Sequence, residues 1–284
     1  DSIVAIGTGA IVDMAKGINI IVSTGRDVLE FEGKNRIFAH LKPFVIVPTA
    51  TIAPYDLAGA ALIDGKEFVS DYLYPDIIAV DTRMVRGCCS DCMRQTALVS
   101  LTQAVESYLS VEANHLTDAY ASTALQIISE NVVKAIKRPR NKQASIAMAN
   151  AAVASAAAFH NLAPGAVHTL GMALAKLTGH HPGLCMGALL PASLKLRNSR
   201  KESFRDDVLL YVGGADVFAE TAQSDRSQKG YQALMNLISS IPGLPQSLAD
   251  LKIAPYVVQE AMAVASKNEP SLKKQDFEAI IAMM

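Results

Sequence analysis

The sequence predicts an α/β portion followed by an all-helical domain, an α/β plus all-α chain. Three observations predict it. Short β-branched runs recur only as far as Asp81. The first of them ends in Gly7-Thr8-Gly9 and leads straight into a helical period. Beyond Asp81, helical periods follow one another to Met284.

The elements read in order. Ser2–Ile6 is a buried strand, closed by the Gly-x-Gly turn. From Ile11 to Ser23 the apolar residues Ile11, Met14, Ala15, Ile18 and Ile21 fall at helical spacing. Phe44–Thr49 and Ile77–Asp81 are further strands, and such continuous apolar runs suit a parallel sheet covered on both faces. Leu57–Ile63 is an additional strand ending at the Asp64-Gly65 turn. Helical patterns then cover Cys89–Leu109, Leu116–Lys137, Ala144–Phe159, Ala166–Leu177 and Leu184–Leu196, with Pro164, Pro182, Pro191, Pro242 and Pro245 as punctuation. The division falls into residues 1–84 and residues 85–284. The sequence carries no internal repeat.

Composition narrows the function classes. A net charge of −1 gives no electrostatic case for nucleic acid or an anionic membrane. The cluster Lys137-Arg138-Pro139-Arg140-Asn141-Lys142 reads as a solvated loop between helices. No apolar run reaches the length of a membrane span, since Ser145, Asn150 and Ser155 interrupt the Ala-rich stretch 144–158. Cys88, Cys89 and Cys92 form a C-C-x-x-C cluster. It could ligate zinc, but no second Cys or His pair stands at finger-like spacing, so the expectation is buried free thiols in a reducing cytoplasm.

Two glycine-bearing segments carry a resemblance. Gly7-Thr8-Gly9-Ala10-Ile11-Val12-Asp13-Met14-Ala15-Lys16 is similar to the G-G-G-S-x-x-D-x-A-K loop of the iron-dependent alcohol dehydrogenases, which grips a dinucleotide pyrophosphate. Gly7, Gly9, Asp13, Ala15 and Lys16 match; Thr8 and Ala10 replace a Gly and a Ser. Physically, such a turn offers backbone N–H groups and a helix N-terminus to an anion. Pro48-Thr49-Ala50-Thr51-Ile52-Ala53-Pro54-Tyr55-Asp56 resembles P-T-T-A-G-T-G-S-E, with Ile52 and Pro54 in place of both glycines. Tyr72-Leu73-Tyr74-Pro75-Asp76 and Val80-Asp81 match Y-L-x-P-D…V-D, and Lys66 stands where the family keeps a lysine near the cofactor. A solvated surface lysine is the equally weighted reading of Lys66. The resemblance implies the dehydroquinate synthase-like fold, a partial Rossmann-like domain and then the helical domain. It implies NAD or NADP as cofactor, held through Gly7, Thr8, Gly9, Asp13, Thr49, Thr51 and Lys66.

The metal side resembles the family in order but departs from it in chemistry. Thr96–Tyr108 is similar to T-G-x-D-A-L-x-H-A-x-E-x-Y, whose Asp and His share a helical face and bind a divalent metal. Val99 and Gln103 hold those two places. His168 matches the first His of V-H-x-x-x-H-P-L-G, and Met172 replaces the second, which serves near the substrate. The register through Leu189-Leu190-Pro191 puts Pro182 at the last ligand place, with His181 one residue early. A catalytic metal needs three or four converging donors. Val99 and Pro182 offer none and Gln103 offers a poor one, so the expectation is no Fe or Zn site, with His181 as the conceivable substitute. His168 is the single candidate catalytic residue, expected to be a relic imidazole hydrogen-bonded in the cleft.

Two functions follow from the resemblance. One is an NAD(P)-linked oxidoreductase of alcohols and aldehydes with a degraded metal site and weak or no metal-dependent activity. The other is a lapsed structural or regulatory subunit, a pseudoenzyme in a homo- or hetero-oligomer with a family member, a dimer in the simplest case. Family members begin with further α/β units, so the sheet is expected to leave an edge or an apolar face for an upstream segment or a partner to cover.

Overall fold

The computed structural model describes residues 1–49, 55–85, 88–202 and 204–284. The chain opens with β1 (Ile3–Ile6) and α1 (Ala10–Thr24). Gly9 is the N-cap of α1, with φ 59°, and the helix stops at Gly25, whose left-handed backbone (φ 70°) turns its N–H onto the Ile21 carbonyl. Two short strands follow, β2 (Gly33–Lys34) and β3 (Phe44–Val47), then β4 (Ala60–Ile63), β5 (Lys66–Val69) and β6 (Ile77–Ile78).

The strands form two three-stranded sheets, one parallel in the order β1-β3-β6 and one in the order β2-β5-β4. In the first, Ile3 pairs with Phe44 and Val45 with Ile77. In the second, β4 and β5 make an antiparallel hairpin through Asp64 and Gly65, both at positive φ as a two-residue turn of this hand demands. Helix α1 lies between the sheets. Val12 and Ala15 meet Ala5, Phe44 and Ile46 on one side, and Ile20 meets Phe31, Ile37 and Phe68 on the other. Gly17 permits the close approach to β4, because a Cβ there would stand 2.7 Å from the Ile63 Cδ1.

This corrects three expectations. The 57–63 segment is extended only from Ala60, and its hairpin mate β5 was not foreseen, because Lys66-Glu67-Phe68-Val69 buries a single phenylalanine. The last strand ends at Ile78; Asp81 instead accepts the Arg83 N–H at 2.7 Å and opens α2 (Thr82–Val85). The parallel sheet is covered on one face only, with Val4 54%, Ile6 56% and Ile77 57% exposed.

From Ser90 onward the described residues hold helices and loops: α3 (Ser90–Tyr108), α4 (His115–Lys137), α5 (Lys142–Phe159), α6 (Ala166–Thr178) and α7 (Pro182–Ser199). Five shorter or peripheral helices complete the order: α8 (Val208–Gly213), α9 (Ala215–Glu220), α10 (Gln223–Ser240), α11 (Pro255–Asn268) and α12 (Lys274–Ile281). Residues 138–141 of the basic cluster are the loop between α4 and α5, as expected, while Lys137 ends α4 and Lys142 begins α5. One large core joins these helices, with Leu98, Leu101 and Val105 of α3 among Leu125 and Ile128 of α4 and Ala151 and Ala158 of α5. Small side chains on α5 let the three helices approach closely. Pro191 does not punctuate; it lies inside α7 and forgoes one intrahelical bond, to the Gly187 carbonyl. Leu57 packs on Ala152 and Ala156, tying the strand-bearing segment to α5.

Two of the cysteines contradict the expected burial. Cys88 and Cys185 are buried, but Cys89 is exposed and Cys92 partly so, because they flank the first turn of α3 at the surface.

Candidate functional site

The glycine turn after β1 sets a helix N-terminus where an anion would sit. That place is taken by a side chain of the same molecule. Asp56, fully buried, accepts the Gly9 N–H at 2.8 Å through Oδ1 and the Thr8 hydroxyl at 2.5 Å through Oδ2. Lys16, also buried, turns back from α1 and donates to the carbonyls of Tyr55, Ala58 and Ala60 at 2.6, 2.8 and 2.7 Å. It fastens the segment that carries Asp56. Burial pushes the Lys16 ammonium down to about 8 and the Asp13 carboxyl up to about 6, each partly offset by attraction to the other.

Gly7, Thr8, Gly9 and Asp13 are thus brought together around the first turn of α1, with Asp56 and Lys16. Thr49 follows β3 and is partly buried. Thr51, Ile52 and Pro54 lie outside the described residues. Lys66 stands apart from this cluster's hydrogen bonds. At the start of β5 it pairs with Glu32 at 3.2 Å, both side chains substantially exposed, which is the surface-lysine reading.

The helical residues assemble differently. Val99 is buried in the main core, and a Cβ built on Gly183 would stand 3.2 Å from its Cγ2 and 2.0 Å from the Gln95 carbonyl oxygen. Gly183 thereby lets the first turn of α7 close onto α3, where Val99 fills the space. Gln103 is buried; its Oε1 takes the Ser155 hydroxyl at 3.4 Å, and its Nε2 is without a partner among the described residues. His168 sits in α6 with its ring 4.3 Å from that of Phe159. Its Nε2 has no hydrogen-bond partner among the described residues, so the expected hydrogen-bonded imidazole is not found at that nitrogen. Burial, reinforced by His160, holds it far below the usual imidazole range, at about 3, so it is neutral.

Pro182 is the first residue of α7, a position that needs no N–H donor. His181 is its N-cap and accepts the Gly183 N–H through Nδ1 at 3.1 Å. His180 holds the Leu251 carbonyl at 2.8 Å through Nε2. Among the described residues, no three His, Cys, Asp or Glu side chains converge. A cavity of about 300 Å³ lies between the hairpin and the helices, lined among others by Tyr55, Glu67, Met172, His180 and Pro182. The Tyr55 hydroxyl donates to Glu67 there at 3.0 Å.

Two carboxylates matter more than their sequence position suggested. Asp56 is one. Glu106 is the other: it accepts the N–H groups of Val167 at 2.7 Å and His168 at 3.2 Å, closing the N-terminus of α6, whose own N-cap Gly165 has no side chain. A Cβ on Gly165 would collide with this carboxyl group, at 2.2 Å from its Cδ. Burial raises the Glu106 carboxyl to about 7 despite those two donors. An acidic residue one helical turn from Gln103 on α3 was the available signal for Glu106. Nothing local signals the reach of Asp56 back to Gly9.

Known proteins agree with this architecture. The chain is 24% identical over 289 residues to Alcohol dehydrogenase 4 of Schizosaccharomyces pombe, covering 99% of this chain and 62% of that protein. It is 28% identical over 291 residues to 1,3-propanediol dehydrogenase of Klebsiella pneumoniae, covering 99% of this chain and 74% of that one. The chain therefore spans less than two thirds of the first of these relatives. A crystal structure of 1,3-propanediol oxidoreductase superposes with a TM-score of 0.86 at 26% identity, over 99% of this chain and 76% of that one. Sulfoacetaldehyde reductase from Bifidobacterium kashiwanohense, solved in complex with NAD+, shares the fold at a TM-score of 0.79 and 18% identity, over 99% and 75%. The profile described as "Fe-containing alcohol dehydrogenase family, C-terminal" matches residues 94–283, two thirds of the sequence. The chain belongs to the Fe-containing alcohol dehydrogenase family.

Proposed function

We propose that this chain keeps the family scaffold and a weak NAD(P)-binding turn, while metal-dependent hydride transfer between alcohols and aldehydes has been lost. One observation carries the reading. Of the four positions at which the resemblance would place metal ligands, only His168 presents a suitable donor, and that imidazole is buried against Phe159. Val99 and Pro182 have no donor atom, and Gln103 spends its oxygen on Ser155. His181, the conceivable substitute, commits Nδ1 to the first turn of α7. With no carboxylate in the set, nothing offsets the charge of a divalent cation. The residues present do not fit Fe or Zn.

A metal-free reductase would need an acid near its substrate. A neutral, buried His168 is a poor one. The test is to load purified protein with Fe2+ or Zn2+, desalt it, and measure bound metal by elemental analysis beside a calorimetric titration with NADH and NADPH. Sub-stoichiometric metal with weak dinucleotide binding is expected; one tightly held ion per chain would overturn the reading.

A second reading, a non-catalytic subunit that pairs with a copy of itself or an active relative, is favoured by the uncovered face of the parallel sheet. Val4 and Ile6 of β1 and Ile11, Met14, Ile18 and Val22 of α1 are each 47% or more exposed, more large apolar side chains than one short strand and one helix ordinarily leave to water. Light scattering across a concentration series tests it, and a strictly monomeric protein that also fails to bind an active family member would refute it.

A further inference from the structure

The sulfurs at the start of α3 carry chemistry that the proposed function does not use. Cys88 is buried, its thiol turned onto the Cys89 carbonyl at 3.4 Å. Cys89 is exposed and is the N-cap of α3. Its Sγ accepts the Cys92 N–H at 3.1 Å and lies 2.7 Å from the Cys92 Sγ. A disulfide needs about 2.05 Å between sulfurs, so covalent closure asks for a movement of about 0.7 Å, within reach of side-chain rotation.

The environment divides the labour among these thiols. Hydrogen bonds from Cys92, side chain first and then backbone, hold the Cys89 thiol below its usual range; slight burial opposes this, and so does the Asp91 carboxylate, which is paired with Arg94 at 2.9 Å, while the Asp91 backbone N–H adds to the lowering. Burial pushes the Cys88 thiol up to about 12, which leaves it inert. Cys89 is therefore the accessible nucleophile, and Cys92, three residues on, is the neighbour placed to displace whatever becomes attached to it.

We propose that Cys89 and Cys92 form a reversible dithiol–disulfide centre that exchanges with low-molecular-weight disulfides of the glutathione class. The Cys89 thiolate attacks one sulfur of glutathione disulfide. A protein–glutathione S–S bond forms as the glutathione S–S bond breaks, and one glutathione leaves as its thiolate. Cys92 gives its proton to solvent and attacks the Cys89 Sγ, so that the intramolecular disulfide forms and the second glutathione departs. Two protein thiols are oxidised by two electrons, and one glutathione disulfide is reduced to two thiols. Because the helix N-terminus stabilises the Cys89 thiolate, the reduced form is favoured and the disulfide is readily reversed. The centre goes beyond the dinucleotide and metal readings and does not depend on either.

The experiment equilibrates the whole chain in buffers of graded reduced-to-oxidised glutathione ratio, quenches with acid and alkylates the remaining thiols. Tryptic peptide 87–94 holds all three of these cysteines, so fragment-ion mass spectrometry reads their pairing directly. Expected is a peptide lighter by two hydrogens, with Cys88 alkylated and the 89–92 interval closed, which returns to the dithiol when reduced glutathione is restored. Cys92→Ser is expected to accumulate a glutathione adduct at Cys89, and Cys88→Ser to form the disulfide as the wild type does. Alkylation of both Cys89 and Cys92 at the most oxidising ratio would overturn the proposal. So would a disulfide that uses Cys88, or a Cys92→Ser protein with no adduct at Cys89.

Discussion

Replacing Asp56 by asparagine should move stability and dinucleotide affinity in opposite directions. The carboxylate accepts from the Gly9 N–H at 2.8 Å and the Thr8 hydroxyl at 2.5 Å, at the N-terminus of a 15-residue helix. Hydrogen bonds to a charged partner contribute about 1.5–3 kcal/mol each, and a neutral amide keeps about 1 kcal/mol of that. A net loss on the order of 2 kcal/mol corresponds to a fall in Tm of about 4–8 °C for a chain of this size. A pyrophosphate seeking the same N–H groups must displace the carboxylate, and the neutral amide of the D56N protein would resist by about 2 kcal/mol less. That converts to roughly thirtyfold tighter binding of NADH or NADPH. The chain has no tryptophan, so energy transfer from indole to the nicotinamide is not available and calorimetry is the suitable assay. A D56N protein that binds dinucleotide no better than wild type, or worse, would refute the idea that Asp56 occupies an anion site, and would make it a prop for a site elsewhere.

Three further outcomes follow from buried charge. Val99→Asp, which puts a carboxylate in a core position only 2% exposed, should lower stability by several kcal/mol through an unpaired buried charge. Added Fe2+ or Zn2+ should not recover it, and thermal melts with and without metal check both statements. Glu106→Ala should cost about 1–3 kcal/mol, because the Val167 and His168 N–H groups lose their acceptor in a partly buried setting; urea melts measure it, and an unchanged midpoint would show that water replaces the carboxylate without loss. The Asp13 carboxyl titrates at about 6 in the folded chain against 3.8 as its ordinary value, so the folded state binds more protons between the two. Its contribution to stability is full below pH 3.8 and declines as pH rises through 6, and Asp13→Asn should flatten that part of the stability–pH curve.

The glycine turn and the long helices were legible in the sequence because their signals are local. Gly7 and Gly9 sit between a β-branched run and a helical period, and α3, α4 and α6 begin within two residues of their expected starts. The hairpin was half legible. Leu57-Ala58-Gly59 reads as apolar strand, yet a Cβ on Gly59 would stand 2.6 Å from the Tyr74 ring and 2.8 Å from the Ser70 carbonyl. That residue is a close contact point, and its carbonyl accepts the Ser70 N–H at 2.8 Å just beyond the Ala60–Val69 pair. The exposure of Cys89 and Cys92 is not legible locally, because they occupy a helix start, where exposure depends on what packs beside it. Most of the site was illegible for a related reason. Asp56 reaches Gly9 and Glu106 reaches Val167 across 47 and 61 residues, distances no periodicity can anticipate.

Asp56 and Glu106, read with Val99, point to one physical rule for which buried charges this chain can hold. Both acids receive backbone N–H groups at helix starts, which offset part of the cost of burying them without any ligand, although burial still raises the Glu106 carboxyl to about 7. A carboxylate at position 99 would have only a bound cation to balance it. On the proposed reading, once the cation no longer binds, such a group is an uncompensated buried charge, and a hydrocarbon side chain that fills the same space is the more stable occupant. On the same reading Pro182 brings no donor to a cation but suits the first turn of α7. Lys16 supplies the converse case. It matches the cofactor loop in sequence, yet its ammonium is spent on three carbonyls of its own chain, so its persistence argues for the scaffold and carries no information about whether a dinucleotide still binds.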